Sequence, residues 1–193
     1  MKGRMTWKTN IILEELKPAG KADGRAGRRT MIGKIECKRL ILKPISLKQL
    51  EWIQNGGQGI LMESVLSDTV KAAVSHKVER MRKAPKEAHP WLTYWMILEK
   101  DKKQGVGVIG SKYLPDEDGF VELGYAVAEE RQGRGYMTEA LLGFLDWLYE
   151  WPFCSGARLS IQRENAASVR TAQKCGFQYE KTENIYRIYT YIF

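Results

Sequence analysis

The sequence predicts an α/β fold: a mixed, mostly antiparallel central sheet flanked by helices, preceded by a basic arm. Three observations carry that prediction. Apolar runs of strand type at 91–98, 106–113 and 120–127 follow one another across two short turns. The apolar spacing then becomes helical at Met137, Leu141, Leu145 and Leu148. Strand, helix and strand patterns alternate from there to the C-terminus. Antiparallel strands followed by that alternation describe one mixed domain.

Composition bounds the problem. With 193 residues, 44% hydrophobic and 28% charged, the chain suits a globular core and not a disordered, collagenous or disulfide-scaffold protein. The longest apolar candidate for a membrane span, 137–151, is broken by Glu139, Asp146 and Glu150, so no membrane partner is expected. The start of the chain shows no apolar stretch with a small-residue cleavage site. Three widely spaced cysteines, Cys37, Cys154 and Cys175, read as reduced thiols and a cytoplasmic protein.

The elements follow in order. Residues 1–34 form a basic N-terminal extension, holding nine Lys and Arg against Glu14, Glu15 and Asp23, so six of the eight net positive charges sit there. Within it, 10–17 suits a short helix capped by Asn10, and the glycines and Pro18 that follow punctuate rather than fold. No nucleic-acid motif or aromatic interleaving accompanies this charge or the second basic stretch at 71–86, so both read as solvated surface and no nucleic-acid partner is expected. The folded domain is placed at 35–193. Residues 39–43 make a strand stopped by Pro44, and 47–83 make two helices broken at Asn55–Gly57 and Gly59. The strands 91–98, 106–113 and 120–127 are joined by turns at 101–105 and 115–119. The helix through Leu148 is stopped by Pro152. A strand at 157–162, a helix from Asn165 to Cys175 closed by Gly176, and one or two strands in the tail complete the domain.

Two glycine motifs compete for a cofactor. Gly105 to Gly110 matches G-x-G-x-x-G literally, with Glu129 and Glu130 downstream. A dinucleotide fingerprint must end a strand and open a helix, whereas the residues after Gly110 hold Pro115 and a turn. The second motif, Gln132-Gly133-Arg134-Gly135-Tyr136-Met137, lies directly between a strand and a helix. There, glycines allow close backbone approach, helix N-terminal N–H groups favour anions, and Arg131 and Arg134 add charge, so the loop suits phosphate.

The ordered series Glu122-Leu-Gly-Tyr-Ala-Val127, Gln132-Gly-Arg-Gly-Tyr, Glu139-Ala-Leu, Asn165-Ala-Ala-Ser168 and Lys174-Cys-Gly-Phe177 resembles the GNAT family of acyl-CoA N-acyltransferases. It is most similar to the RimJ/RimL branch of ribosomal-protein N-terminal acetyltransferases, whose first strand the opening Lys38-Arg-Leu-Ile-Leu-Lys-Pro44 also resembles. The likeness covers about residues 36–193 and is weakest between 50 and 90.

The resemblance implies acetyl-CoA as co-substrate and no metal. It implies that Gln132, Gly135 and Met137 hold the signature positions of a pyrophosphate loop, Met137 departing from the family's usual small residue. It places Arg131, Gly133, Arg134 and Tyr136 around that loop. The edge formed by Tyr125, Ala126 and Val127 would pair with the pantetheine arm, and Asn165 would contact that arm or simply cap its helix. Glu122 falls where many relatives place a catalytic carboxylate, acting as a base through water or orienting the substrate. No tyrosine occupies the usual proton-donor position, and Ser168 stands there instead, facing the cofactor sulfur or bonding within the helix. Cys175 reads as packing, and His76 and His89 lack metal-ligand spacing. Trp91, Tyr94 and Trp95 could line an acceptor pocket, although core packing is their commoner fate.

The expected activity is transfer of an acetyl group to a primary amine, on a protein N-terminus or a small molecule, with acceptor choice set by 50–90. The alternative is a non-catalytic acyl-CoA-binding or nucleic-acid-docking module. An exposed edge in the terminal strands permits a homodimer as well as a monomer.

Overall fold

The computed structural model describes residues 33–193, so the helix expected at 10–17 and most of the basic extension lie outside the described residues. The strands are β1 (Ile35–Glu36), β2 (Leu40–Pro44), β3 (Trp95–Glu99), β4 (Gln104–Ser111), β5 (Phe120–Val127), β6 (Gly156–Gln162), β7 (Gln178–Glu183) and β8 (Tyr186–Ile192). The helices are α1 (Leu47–Gln54), α2 (Asp68–Lys83), the short α3 (His89–Leu92), α4 (Tyr136–Tyr149) and α5 (Ala166–Lys174). One sheet of eight strands runs in the order β1-β2-β3-β4-β5-β6-β8-β7. Among these strands of the described residues, β5 and β6 pair in parallel and the other neighbours antiparallel.

Local chemistry explains the boundaries. Ser46 caps α1 in a reciprocal box with Gln49, and Ser67 caps α2. Asp116 Oδ1 accepts from Asp118 N–H at 3.0 Å and Phe120 N–H at 2.8 Å, which folds the β4–β5 turn and aims β5 back along β4. Helix α4 buries Met137, Ala140, Leu141, Phe144, Leu145 and Leu148 at helical spacing. The same helix adds Trp147 to an aromatic cluster with Trp91, Trp95, Trp151, Phe153 and Phe144, whose neighbouring ring centroids lie 4.8–5.9 Å apart.

Two expectations are corrected, and three aromatic residues take the commoner of their two expected fates. The run 91–98 is not one strand: Pro90 opens α3, and β3 begins only at Trp95. Pro at the start of a helix loses no bond the helix needs, so an apolar run that reads as strand turns helically first. Trp91, Tyr94 and Trp95 are buried in the core and line neither cleft described below. Lys77, counted in a solvated basic stretch, is buried. Its Nζ donates to the carbonyls of Leu92, Thr93 and Ser111 at 3.3, 3.2 and 2.6 Å, tying α2 to the ends of α3 and β4. Burial, with Arg80 nearby, pushes its pKa down to about 7.

Candidate active site

Strand β5 divides its partners. It pairs with β4 over Leu123–Val127, but with β6 only at Phe120, Val121 and Glu122. Beyond Glu122, β6 continues along β8 to Gln162, so the sheet opens between β5 and β6. Main-chain direction alternates along a strand. Glu122 C=O accepts from Lys112 N–H at 2.7 Å, and Ala128 N–H donates to Val106 C=O at 2.9 Å, so the even positions turn to β4. Tyr125 and Val127 therefore turn their main chain to the opening, and Val127 C=O accepts from Gln132 Nε2 at 3.3 Å. Ala126 lines the opening but turns its main chain to β4.

A cleft of about 550 Å³ fills this opening and gathers Tyr125, Ala126, Val127, Arg131, Gln132, Gly133, Gly135, Tyr136, Met137, Asn165 and Ser168. Of the sequence-predicted cofactor residues, Arg134 alone lies outside its lining, with an exposed side chain. Gly133 and Gly135 both take φ of +73°, a left-handed conformation that a side chain disfavours. Gly135 is the N-cap of α4 and offers no side-chain partner, so the first N–H groups of the helix open into the cleft.

Two carboxylates hold this loop. Glu139 accepts from Arg39 N–H at 2.6 Å and Arg39 Nε at 2.7 Å, while Arg39 Nη1 donates to Arg134 C=O at 3.0 Å and its guanidinium stacks over Tyr136 at 4.7 Å. Glu99 accepts from Tyr136 Oη at 2.5 Å and lies 3.6 Å from Arg131 Nε. The tyrosine bond holds Glu99 below the usual carboxylate range and raises the Tyr136 phenol. Arg131, Tyr136 and Met137 line the cleft and also shape the loop: Arg131 pairs with Glu99 as an ion pair, Tyr136 donates a hydrogen bond to it, and Met137 is buried against the core. The cations on the opposite wall are Arg170 and Lys174 of α5, which the sequence reading missed. Their signal was the helical spacing Ala167, Ser168, Arg170, Thr171 and Lys174 below a recognised cap.

That cap forms: Asn165 Oδ1 accepts from Ser168 N–H at 3.0 Å, leaving the Asn165 amide group for a ligand. Tyr125 Oη donates to Ser168 C=O at 3.5 Å, and burial raises this phenol to about 12. Cys175 packs behind, its thiol directed at Thr138 C=O (3.6 Å) and raised by burial to about 11. Folded protein at neutral pH should therefore show Cys175 reacting with Ellman's reagent at least about 10²-fold more slowly than after unfolding. Equal rates would show the thiol to be open.

Glu122 projects from the other face of β5 into a second cleft of about 600 Å³, which it shares with Tyr113, Asp116, Phe120, Arg158 and Ser160. Its Oε1 accepts from Lys112 Nζ and Ser160 Oγ, both at 2.7 Å. Burial pushes its pKa up, but those two hydrogen bonds outweigh it, and the carboxyl stays below its usual range. Lys112 and Ser160 were missed because only pairing of β5 with β4 and β6 brings them to Glu122. Among the described residues, no group of three potential metal ligands occurs, and no helix is long and apolar enough to cross a membrane.

Gly105 to Gly110 lies inside β4 and opens no helix. A Cβ on Gly107 would meet Ala126 C=O at 2.5 Å, and one on Gly110 would meet Thr93 C=O at 2.5 Å, so these glycines serve close strand packing.

Comparison with known proteins agrees with this geometry. The family model described as the acetyltransferase (GNAT) domain matches residues 39–178. Over 98 residues the chain is 29% identical to YjdG of Bacillus subtilis (strain 168), an uncharacterised N-acetyltransferase, covering 51% of this chain and 58% of that protein. The chain spans about half the length of the curated relatives it matches. Solved structures share the fold, two of them as follows. RimL, a ribosomal L7/L12 alpha-N-protein acetyltransferase, is 14% identical with a TM-score of 0.61, covering 82% of this chain and 97% of its own. The microcin C7 self-immunity acetyltransferase MccE, in complex with acetyl-CoA and AMP, is 18% identical with a TM-score of 0.58, covering 81% and 93%.

Proposed function

The chain belongs to the GNAT acetyltransferase family, and on that premise we propose that it transfers an acetyl group from acetyl-CoA to a primary amine. The observation that carries this reading is the meeting, in one cleft, of the free edge of β5, the glycine loop before α4 and the polar face of α5. Bound acetyl-CoA supplies the thioester carbonyl that the amine attacks.

The residues fit that ligand. The main-chain groups of Tyr125 and Val127 can pair with an amide-bearing arm as an added strand would. The N–H groups at the start of α4 suit a pyrophosphate, with Arg170 and Lys174 across the cleft adding charge. Asn165 offers its amide to the arm. Ser168 lines the same cleft as Tyr125, and its hydroxyl can donate a proton to a departing thiolate.

The acceptor, a protein N-terminus or a small amine, enters the second cleft as an ammonium. Glu122 remains ionised there and orients that ammonium. Its lowered pKa favours relay of the released proton through water over direct abstraction. The buried thiols of Cys154 and Cys175 support a reducing, cytoplasmic setting.

Calorimetric titration of the protein with acetyl-CoA, using NADH as the control ligand, tests the reading. Binding of acetyl-CoA alone, followed by acetylation of members of an amine panel, is expected, whereas no binding overturns it. Glu122→Gln should lower turnover on the best amine about 10²-fold and leave acetyl-CoA affinity unchanged. Undiminished turnover in that variant would remove Glu122 from the chemistry.

A further inference from the structure

On the acceptor face, the amine beside Glu122 belongs to the chain itself. Lys112 follows directly on β4, and its main chain is held from both sides. Its N–H donates to Glu122 C=O at 2.7 Å, and its C=O accepts from the Arg80 guanidinium. The preceding carbonyl, of Ser111, is held by Lys77 Nζ at 2.6 Å. The side chain therefore leaves from a fixed point.

The stem then lies over Gly124. A Cβ at that glycine would sit 3.7 Å from Lys112 Cε and 4.0 Å from its Cγ, so the stem passes within contact range of this position. It ends with Nζ 2.7 Å from Oε1 of Glu122, a residue that lines the second cleft, and the Lys112 side chain is 44% exposed. Pairing of β5 with β6 stops at Glu122, so Gly124 already lies where the two strands have parted. Tyr125, one rise of about 3.3 Å further, begins the free edge assigned to the acyl donor. The carboxylate that holds the amine is thus the last β5 residue paired with β6, and the opening begins directly after it.

The geometry points to Lys112 as an internal acceptor: the protein acetylates its own Lys112 ε-amine from acetyl-CoA held in the β5–β6 cleft. This inference rests on the acetyl transfer proposed above. Lys112 Nζ gives one proton, by way of Glu122, to solvent and forms a C–N bond to the acetyl carbonyl carbon. The C–S bond breaks, the sulfur leaves with its electron pair, and the second proton lost by Nζ ends on it. The products are Nε-acetyl-Lys112, free coenzyme A thiol and one proton. Acetylated Lys112 carries no charge, so Glu122 is released from its cation and left to an incoming ammonium.

The test uses the full chain with carbon-13 acetyl-CoA and no added amine, followed by cleavage after glutamate and mass spectrometry of the peptide carrying Lys100, Lys102, Lys103 and Lys112. Lys112 should be labelled at least about tenfold faster than its three neighbours, with a rate constant independent of protein concentration. Glu122→Gln should slow the labelling about 10²-fold. Lys112→Arg should abolish it without loss of acetyl-CoA affinity. Label on Lys112 no greater than on its neighbours, or undiminished in Glu122→Gln, overturns the inference. If acetyl-CoA binds and added amines are acetylated while Lys112 stays unlabelled, this inference alone falls. If acetyl-CoA does not bind, the reading beneath it falls as well.

Discussion

Gly135→Val should raise the dissociation constant for acetyl-CoA by at least about 30-fold in calorimetry, the largest effect on binding expected from any single substitution in the cleft. Gly135 sits at φ +73° as the N-cap of α4. A β-branched residue held in that region costs about 1–3 kcal/mol, so the variant relieves the strain by moving the loop. The first N–H groups of α4 then no longer converge on one point, and the affinity they supply is lost with the geometry. A Cβ there would meet Arg39 Nη2 at 3.7 Å, an ordinary contact distance, so the cost is conformational rather than steric. Gly135→Ala places a smaller demand on the same backbone, about 1 kcal/mol, and should fall between wild type and valine. Loop strain costs some stability too, so affinity is read well below each variant's Tm. Wild-type affinity in the valine variant would mean that the loop does not hold the ligand.

The largest effect on stability belongs to Trp147→Ala. Trp147 is buried on α4 and packs against Trp91, Trp95, Phe144 and Trp151 at centroid distances of 4.8, 5.0, 5.2 and 5.9 Å. Removing it leaves a cavity between the helix and the sheet that rigid ring neighbours fill poorly. Losses of about 3–5 kcal/mol follow such truncations, so Tm should drop by about 10 °C. Chemical denaturation checks the free energy and circular dichroism the Tm. Leu142→Ala on the exposed face of the same helix should stay within about 0.5 kcal/mol of wild type. A similar loss in both variants would point to helix propensity rather than the cluster.

The pattern of strengths in the sequence explains what was readable. Helix α4, the strand before it and the Asn165 cap were legible because each is written in local periodicity or local hydrogen bonding. The glycine loop was legible for the same reason, since a left-handed turn demands residues of one type. Helix α3 was not, because a four-residue helix opened by Pro90 carries too short a period to be told from the strand it precedes. Lys77 escaped because its three carbonyl partners come from the ends of α3 and β4.

For the candidate site the division is similar. Sequence alone determined the sheet-and-helix order, the phosphate-suited loop and the family resemblance, because those depend on neighbours within a few residues. Only the tertiary structure decided that β5 parts from β6 after Glu122, and that Tyr125 and Val127 rather than Ala126 turn their main chain to the gap. It also decided that Arg131 serves Glu99 while Arg170 and Lys174 line the opposite wall, and that Lys112 reaches Glu122 across Gly124. Each of these rests on strand register and on contacts between distant segments. A register shift of one residue reverses which groups face the cleft, and where β5 parts from β6 depends on pairing between segments distant in the chain.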